Sequence, residues 1–506
     1  MSPRLRLALF AIAGAAVGLV VATGISDERY GFATLVALAA GWLVLERASD
    51  APPDAWLLGA VLVGYVVGNR GFAQIQPASQ IPLLPAEAVL LVAVPALVVR
   101  MATKRAAGLR NDSLNYLLLV WVIYGTARLP ADLGRFGIMA LRDYAMIYYA
   151  AFFFIAQAFG AQDAPARLLR RALTVAFAAL LPVVVSIQLY PDFLIEHLTW
   201  RGIPVIYQKS DLIATFMAAG FFWLWTRRPP GGGLVWPLLA AASLLLIGVM
   251  ASPRAAMAAT VITTLLWILV GRWRIAAAQA AIVLGGSALT LAVLALAGRD
   301  LRTSAPYSAY EHAVSIFDPE GSGSYINAES GDPGSNNRFR VIWWSDVVDE
   351  TLGTSPVFGL GFGSDLAARF LADYDLLADE TFSARSPHSM IVTTFGRMGF
   401  VGLALWLAVS AAAARVVWRL MRSGDPDSLG LASATCVIWI SSCVGVVLES
   451  PMGAVVFWTA LGLANARAHG PPATAAQPAL PGAAAPASEE SPVAKAGAFG
   501  TDSGPR

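Results

Sequence analysis

The chain has 506 residues, 57% hydrophobic and 13% charged, where soluble domains average about 45–50% and about 25%. One soluble core stops growing near ~250–300 residues, so at a mean hydropathy of +0.62 most of the chain meets lipid, and a net charge of +2 leaves no basic excess for nucleic acid. Cys436 and Cys443 lie two turns apart in one apolar stretch, too far to bridge, which excludes a disulfide framework and a four-cysteine zinc site.

Apolar runs of about 17–25 residues mark membrane helices. Fourteen fit, near 5–25, 31–46, 55–69, 81–99, 114–127, 144–160, 172–190, 211–226, 233–251, 254–271, 275–297, 389–412, 429–448 and 452–466. Several are short, so the reading is an all-α polytopic membrane protein of 12–14 spans. The first follows Arg4 and Arg6 without a small-residue cleavage site and reads as a retained helix. With the N-terminus inside, the inner segments hold 17 Lys and Arg against 8 in the short outer loops, the bias of an inner-membrane protein with its C-terminus inside.

Residues 1–297 and 389–466 therefore form two sets of spans around one long outer loop, 298–388. Residues 467–506, rich in Ala, Pro, Gly and Ser, read as a disordered cytoplasmic tail. The loop holds fourteen Asp and Glu against six Arg, and connections of that length usually carry function. Ser335-Asn336-Asn337 predicts an N-cap before a helix over 337–352 that ends at Gly353. Phe339, Trp343, Val347 and Glu350 share one stripe of it; a second short helix is expected near 364–377. Together they predict an ordered helical cap on the membrane.

Outward positive charge runs against the export bias, which singles out Arg254 at the outer end of a span, Arg338 and Arg340 in the first turn of the loop helix, and His388 where the chain re-enters the membrane. Arg offers a planar fork that matches phosphate oxygens, and a His near its ordinary pKa takes a proton from a hydroxyl at neutral pH. The set suits a pyrophosphate beside a proton acceptor. Against this, an Arg at a helix end commonly snorkels to headgroups, and Arg340 near a helix N-terminus opposes the macrodipole by roughly 0.3–1 kcal/mol. The other histidines, His197, His312 and His469, read as surface residues. Asp373-Tyr-Asp375 reads as solvated loop, and Gly359-Leu-Gly361-Phe-Gly363 as a tight turn folding the loop helix back, with no strand or acidic partner for a dinucleotide. Arg397, nine residues after His388, either lines a lipid-phosphate groove or snorkels.

Taken in order, Ser252-Pro253-Arg254, Arg340-Val-Ile-Trp343-Trp344, Ser355-Pro356-Val-Phe-Gly359-Leu-Gly361-Phe-Gly363, Pro387-His388-Ser389 and Gly396-Arg-Met-Gly399 resemble the O-antigen ligase family, which includes O-antigen and exopolysaccharide polymerases. The resemblance is specific over about 250–415. Ser389 stands where the family usually has Asn, and Pro253 where Ser or Thr adjoins the Arg. It implies a multi-span glycosyltransferase of the C type at the periplasmic face, taking a glycan from undecaprenyl pyrophosphate to a hydroxyl on a lipid or glycan acceptor, with inversion and without metal or other cofactor. Arg340 and Arg254 would neutralise the leaving pyrophosphate and His388 would activate the acceptor; Arg338, Arg201, Lys209 and Trp344 would help bind substrate. Ligase and polymerase share this chemistry. A transporter would instead show internal repeats and paired mid-span charges, and an assembly partner would tolerate loss of His388 or Arg340.

Overall fold

A computed structural model describes residues 49–76, 84–103, 109–227, 233–250, 253–318, 323, 325–326, 333–373 and 385–470. The expected spans 5–25 and 31–46 and the tail beyond 470 lie outside these residues. The other twelve expected spans fall largely on helices, and among the described residues six helices are long and apolar enough to cross a membrane.

In chain order the helices are α1 (Pro53–Val67), α2 (Asn69–Ala73), α3 (Pro85–Ala102), α4 (Ser113–Phe136), α5 (Ile138–Asp143), α6 (Ala145–Tyr148), α7 (Ala151–Gly160), α8 (Asp163–Leu189), α9 (Phe193–His197), α10 (Ser210–Trp225), α11 (Val235–Leu246), α12 (Arg254–Leu269), α13 (Trp273–Leu296), α14 (Ala305–Ser315), α15 (Pro333–Thr354), α16 (Ala368–Asp373), α17 (Met390–Arg422), α18 (Pro426–Cys443) and α19 (Pro451–His469). One antiparallel hairpin, β1 (Thr199–Trp200) with β2 (Ile203–Pro204), separates α9 from α10. This is an all-α polytopic membrane protein.

Lipid supplies no hydrophobic drive between helices, so small residues and buried hydrogen bonds hold them together. Helix α19 lies against α7 where Gly462 and Gly160 leave no room for a Cβ beside the Phe153 carbonyl and Ala466. At the same seam Gln157 of α7 exchanges hydrogen bonds with Asn115 of α4 and accepts one from Asn465 of α19, at 2.6–2.9 Å. Trp267 donates to Ser433 at 2.7 Å, joining α12 to α18, and Trp223 donates to Thr174 at 2.9 Å, joining α10 to α8.

Helix α17 breaks at Gly399 (φ 63°, ψ −160°). The break frees backbone groups that residues 355–363 satisfy: Leu360 and Gly361 donate to the Gly396 and Arg397 carbonyls, and Phe400 and Val401 donate to those of Pro356 and Val357. Gly359, Gly361 and Gly363 all hold positive φ, so this segment is the tight turn expected.

The loop cap has its own core. Trp343, Val347, Leu360, Leu366, Ala367 and Phe370 bury together, with the Trp343 and Phe370 rings stacked at 5.5 Å. Helix α15 starts at Pro333, four residues ahead of the sequence expectation, because proline is tolerated in a first turn, and runs one residue past Gly353. Helix α16 starts at Ala368, four residues after the expected 364; residues 374–377 of that expectation, Tyr374 and Asp375 among them, lie outside the described residues. Helix α14, not foreseen, carries His312, which is only 3% exposed and corrects its reading as a surface residue. Ser315 donates to its carbonyl. His197 and His469 are exposed as expected.

Candidate functional site

The segment that precedes α17 and the link between α18 and α19 meet the cap helix α15. Arg340 reaches across from α15 and donates to the Val444 carbonyl at 2.9 Å. Trp344 beside it donates to the Pro387 carbonyl at 2.6 Å, and the Trp343 ring lies 5.6 Å from the His388 ring, tilted. Since α15 begins at Pro333, Arg338 and Arg340 stand in its second turn, beyond the strongest part of the macrodipole, so the cost expected for Arg340 is relieved.

His388 holds a φ of 58°, a left-handed conformation uncommon outside glycine. Ser389 caps α17 and donates to the Cys443 carbonyl at 2.7 Å. Thr393 donates to Glu449 at 2.5 Å and Ser386 donates to its other oxygen.

Lys209 stands just before α10. Tyr207 pairs with Gly68, between α1 and α2, and with Gly71 of α2, and the Lys209 amide donates to Asn69 at 3.4 Å. Its ammonium lies 3.5 Å from Asp211.

Burial first, then the charges of Lys209 and Arg340, hold the His388 pKa down to about 3, so the imidazole is neutral near pH 7. Burial also lowers the Arg340 pKa, opposed by Asp211. Burial pushes the Glu449 carboxyl upward; the Ser386 and Thr393 hydroxyls and the Arg397 and Lys209 charges pull it back. The arrangement sets two cations beside a neutral histidine, groups suited to an anion and a proton.

The structure thus brings Arg340, Trp344, Lys209 and His388 together. Arg254 starts α12, where Ala255 sits 3.9 Å from the Cβ position of Gly445, one residue from the carbonyl that Arg340 holds. Its charge is felt at His312, whose pKa is lowered by burial and then by Arg254. Arg338 is exposed on another side of α15, and Arg201 is exposed in the hairpin turn at φ 49°; neither joins the cluster. Of the two outer-loop cations expected to help bind substrate, Lys209 lies beside His388 and Arg201 does not.

Sequence reasoning left Arg397 between two roles, and it takes neither. It is 3% exposed and pairs with Asp143 at 2.5 Å, while its carbonyl accepts from Arg128 at 3.1 Å. Asp143 also accepts from the Gly363 amide at 3.0 Å, and Asp132 from the Phe362 amide at 2.9 Å, so this network clamps the glycine turn under the cap. The departure Ser389 and the Glu449 carboxyl were the available signals for the anchors of the His388 turn. Among the described residues no group of three or more His, Cys, Asp or Glu is placed to hold a metal ion.

Residues 239–407, which include Arg254, Arg340, Trp344 and His388, match the family model described as O-antigen ligase. No curated protein matches the chain.

Proposed function

The chain being O-antigen ligase-like over residues 239–407, we propose that it transfers a glycan from undecaprenyl pyrophosphate to a hydroxyl acceptor at the periplasmic face of the bacterial inner membrane. The observation that carries this reading is the convergence of Arg340 and Lys209 on His388, whose pKa both lower.

Arg340 and Lys209, with Arg254 behind the same link, hold the pyrophosphate and offset the charge that grows as it leaves. The acceptor oxygen attacks the anomeric carbon from the face opposite the carrier, so configuration inverts. The bond from that carbon to the phosphate oxygen breaks, undecaprenyl pyrophosphate departs with the electron pair, and the hydroxyl proton passes to His388. Burial first, and then the two cations, keep His388 a weak base; bound pyrophosphate offsets the cations, so donor binding raises its basicity when the proton must move. The cations supply the countercharge, and the reaction written this way uses no metal.

Complementation of a deletion strain with wild type, His388→Ala and Arg340→Ala, with membrane levels measured, tests the reading. Loss of the surface glycan with build-up of long carrier-linked chains identifies a ligase; build-up of single repeat units identifies a polymerase. Wild-type glycan from both well-expressed variants would sink the transferase reading and favour the transporter or assembly role.

A further inference from the structure

His388 and Arg340 come from different parts of the fold, α15 and the segment before α17, yet the transfer needs them in fixed register. The short link between α18 and α19 touches both. Its Val444 carbonyl receives Arg340, and its Glu449 carboxyl, half-buried, receives Ser386 and Thr393. Those two hydroxyls bracket His388, whose left-handed φ of 58° persists only where surroundings over-determine it. Four hydrogen bonds do so: Trp344 to Pro387, Ser389 to Cys443, and the two on Glu449.

We infer that Glu449 is a positioning residue: its carboxylate clamps Ser386 and Thr393 on either side of His388 and, through the link that also receives Arg340, sets the imidazole against the guanidinium. The role rests on the transferase reading above. Glu449 acts through the turn and touches neither donor nor acceptor.

The test uses detergent-purified full-length protein, lipid-linked glycan extracted from the deletion strain as donor, and outer-membrane glycolipid of that strain as acceptor. Glu449→Ala is expected to lower kcat about 10–100-fold while donor KM stays within about twofold, since the cations are intact. Ser386→Ala, which deletes one clamped hydroxyl from a loop, is expected to lower kcat about 3–10-fold. Both effects should vanish in a His388→Ala background, because a residue acting through His388 has nothing left to position.

Wild-type kcat in Glu449→Ala and Ser386→Ala, with His388→Ala impaired, overturns the positioning role alone. Losses that add to that of His388→Ala overturn it too, since a general packing defect adds. Full transfer by His388→Ala overturns the transferase reading and the inference with it. Should Glu449→Ala not accumulate, the Ser386→Ala cycle decides.

Discussion

Arg397 and Asp143 form an ion pair of 2.5 Å inside the helix bundle, the arginine 3% exposed. The pair joins the start of the broken helix α17 to the end of α5 and, through Asp143 and Gly363, to the glycine turn beneath the cap. Removing one partner strands the other charge, at about 3–5 kcal/mol. Arg397→Met and Asp143→Leu should each lower thermal stability in detergent sharply, whereas the double variant should recover a good part of the loss. A double variant as unstable as the sum of the singles would show that the pair is not the stabilising unit.

The two cations beside His388 make a pH prediction with a definite sign. In the free protein His388 stays unprotonated, and hence competent as a base, down to about pH 3, so its term in kcat/KM is flat from pH 5 to 8, a range set by the ordinary histidine pKa of about 6.5. In the donor complex the cations are neutralised, the pKa rises, and kcat falls on the acid side at higher pH than kcat/KM. Lys209→Ala removes the largest depressing charge and should move the acid limb of kcat/KM upward. Coincident limbs in the wild type would contradict this account.

Arg338 and Arg340 are two residues apart, yet only Arg340 is drawn into the cluster. Arg340→Ala should reduce transfer about 10²–10³-fold, the usual loss for one preorganised charge contact. Arg338→Ala and Arg201→Ala, on exposed side chains, should stay within about threefold, the scale of a surface contact. Initial rates of the three purified variants decide it, and a loss in Arg338→Ala matching that of Arg340→Ala would refute the assignment.

The break in α17 depends on backbone freedom at two positions. A Cβ on Gly399 would run into the Val357 carbonyl, and one on Gly359 into the backbone of residues 397–399, both at positive φ. Gly399→Ala and Gly359→Ala should deplete folded protein from membranes. Gly353→Ala, in open space on α15, should be neutral or gain about 0.5–1 kcal/mol. Fluorescence-detected gel filtration of tagged variants measures all three; equal peaks would rule out the packing argument.

Much of the site was legible because its chemistry runs against membrane bias: outward arginines and a histidine at a re-entry point stand out among apolar runs. That logic found Arg340 and His388 but could not separate Arg338 or Arg201 from them, since exposure depends on where α15 starts and on a two-residue hairpin. Spans were legible from apolar length alone. Asp143 was not, because its partner lies on a distant helix and nothing local marks the pairing. The break at Gly399 was hidden for a similar reason: a glycine in an apolar run is equally compatible with a continuous helix. His312 was misread because α14 itself, short and polar, carries no strong periodic signal.

The last inter-helix link among the described residues, 444–450, is where Arg340, Ser386 and Thr393 find their partners, with Ser389 held at the end of α18 just before it. During synthesis Lys209, Arg340 and His388 all leave the ribosome before that link exists. The cationic cluster consequently cannot take its final shape until α18 and α19 are in place, and a nascent chain can thread every earlier helix without yet holding a competent anion site.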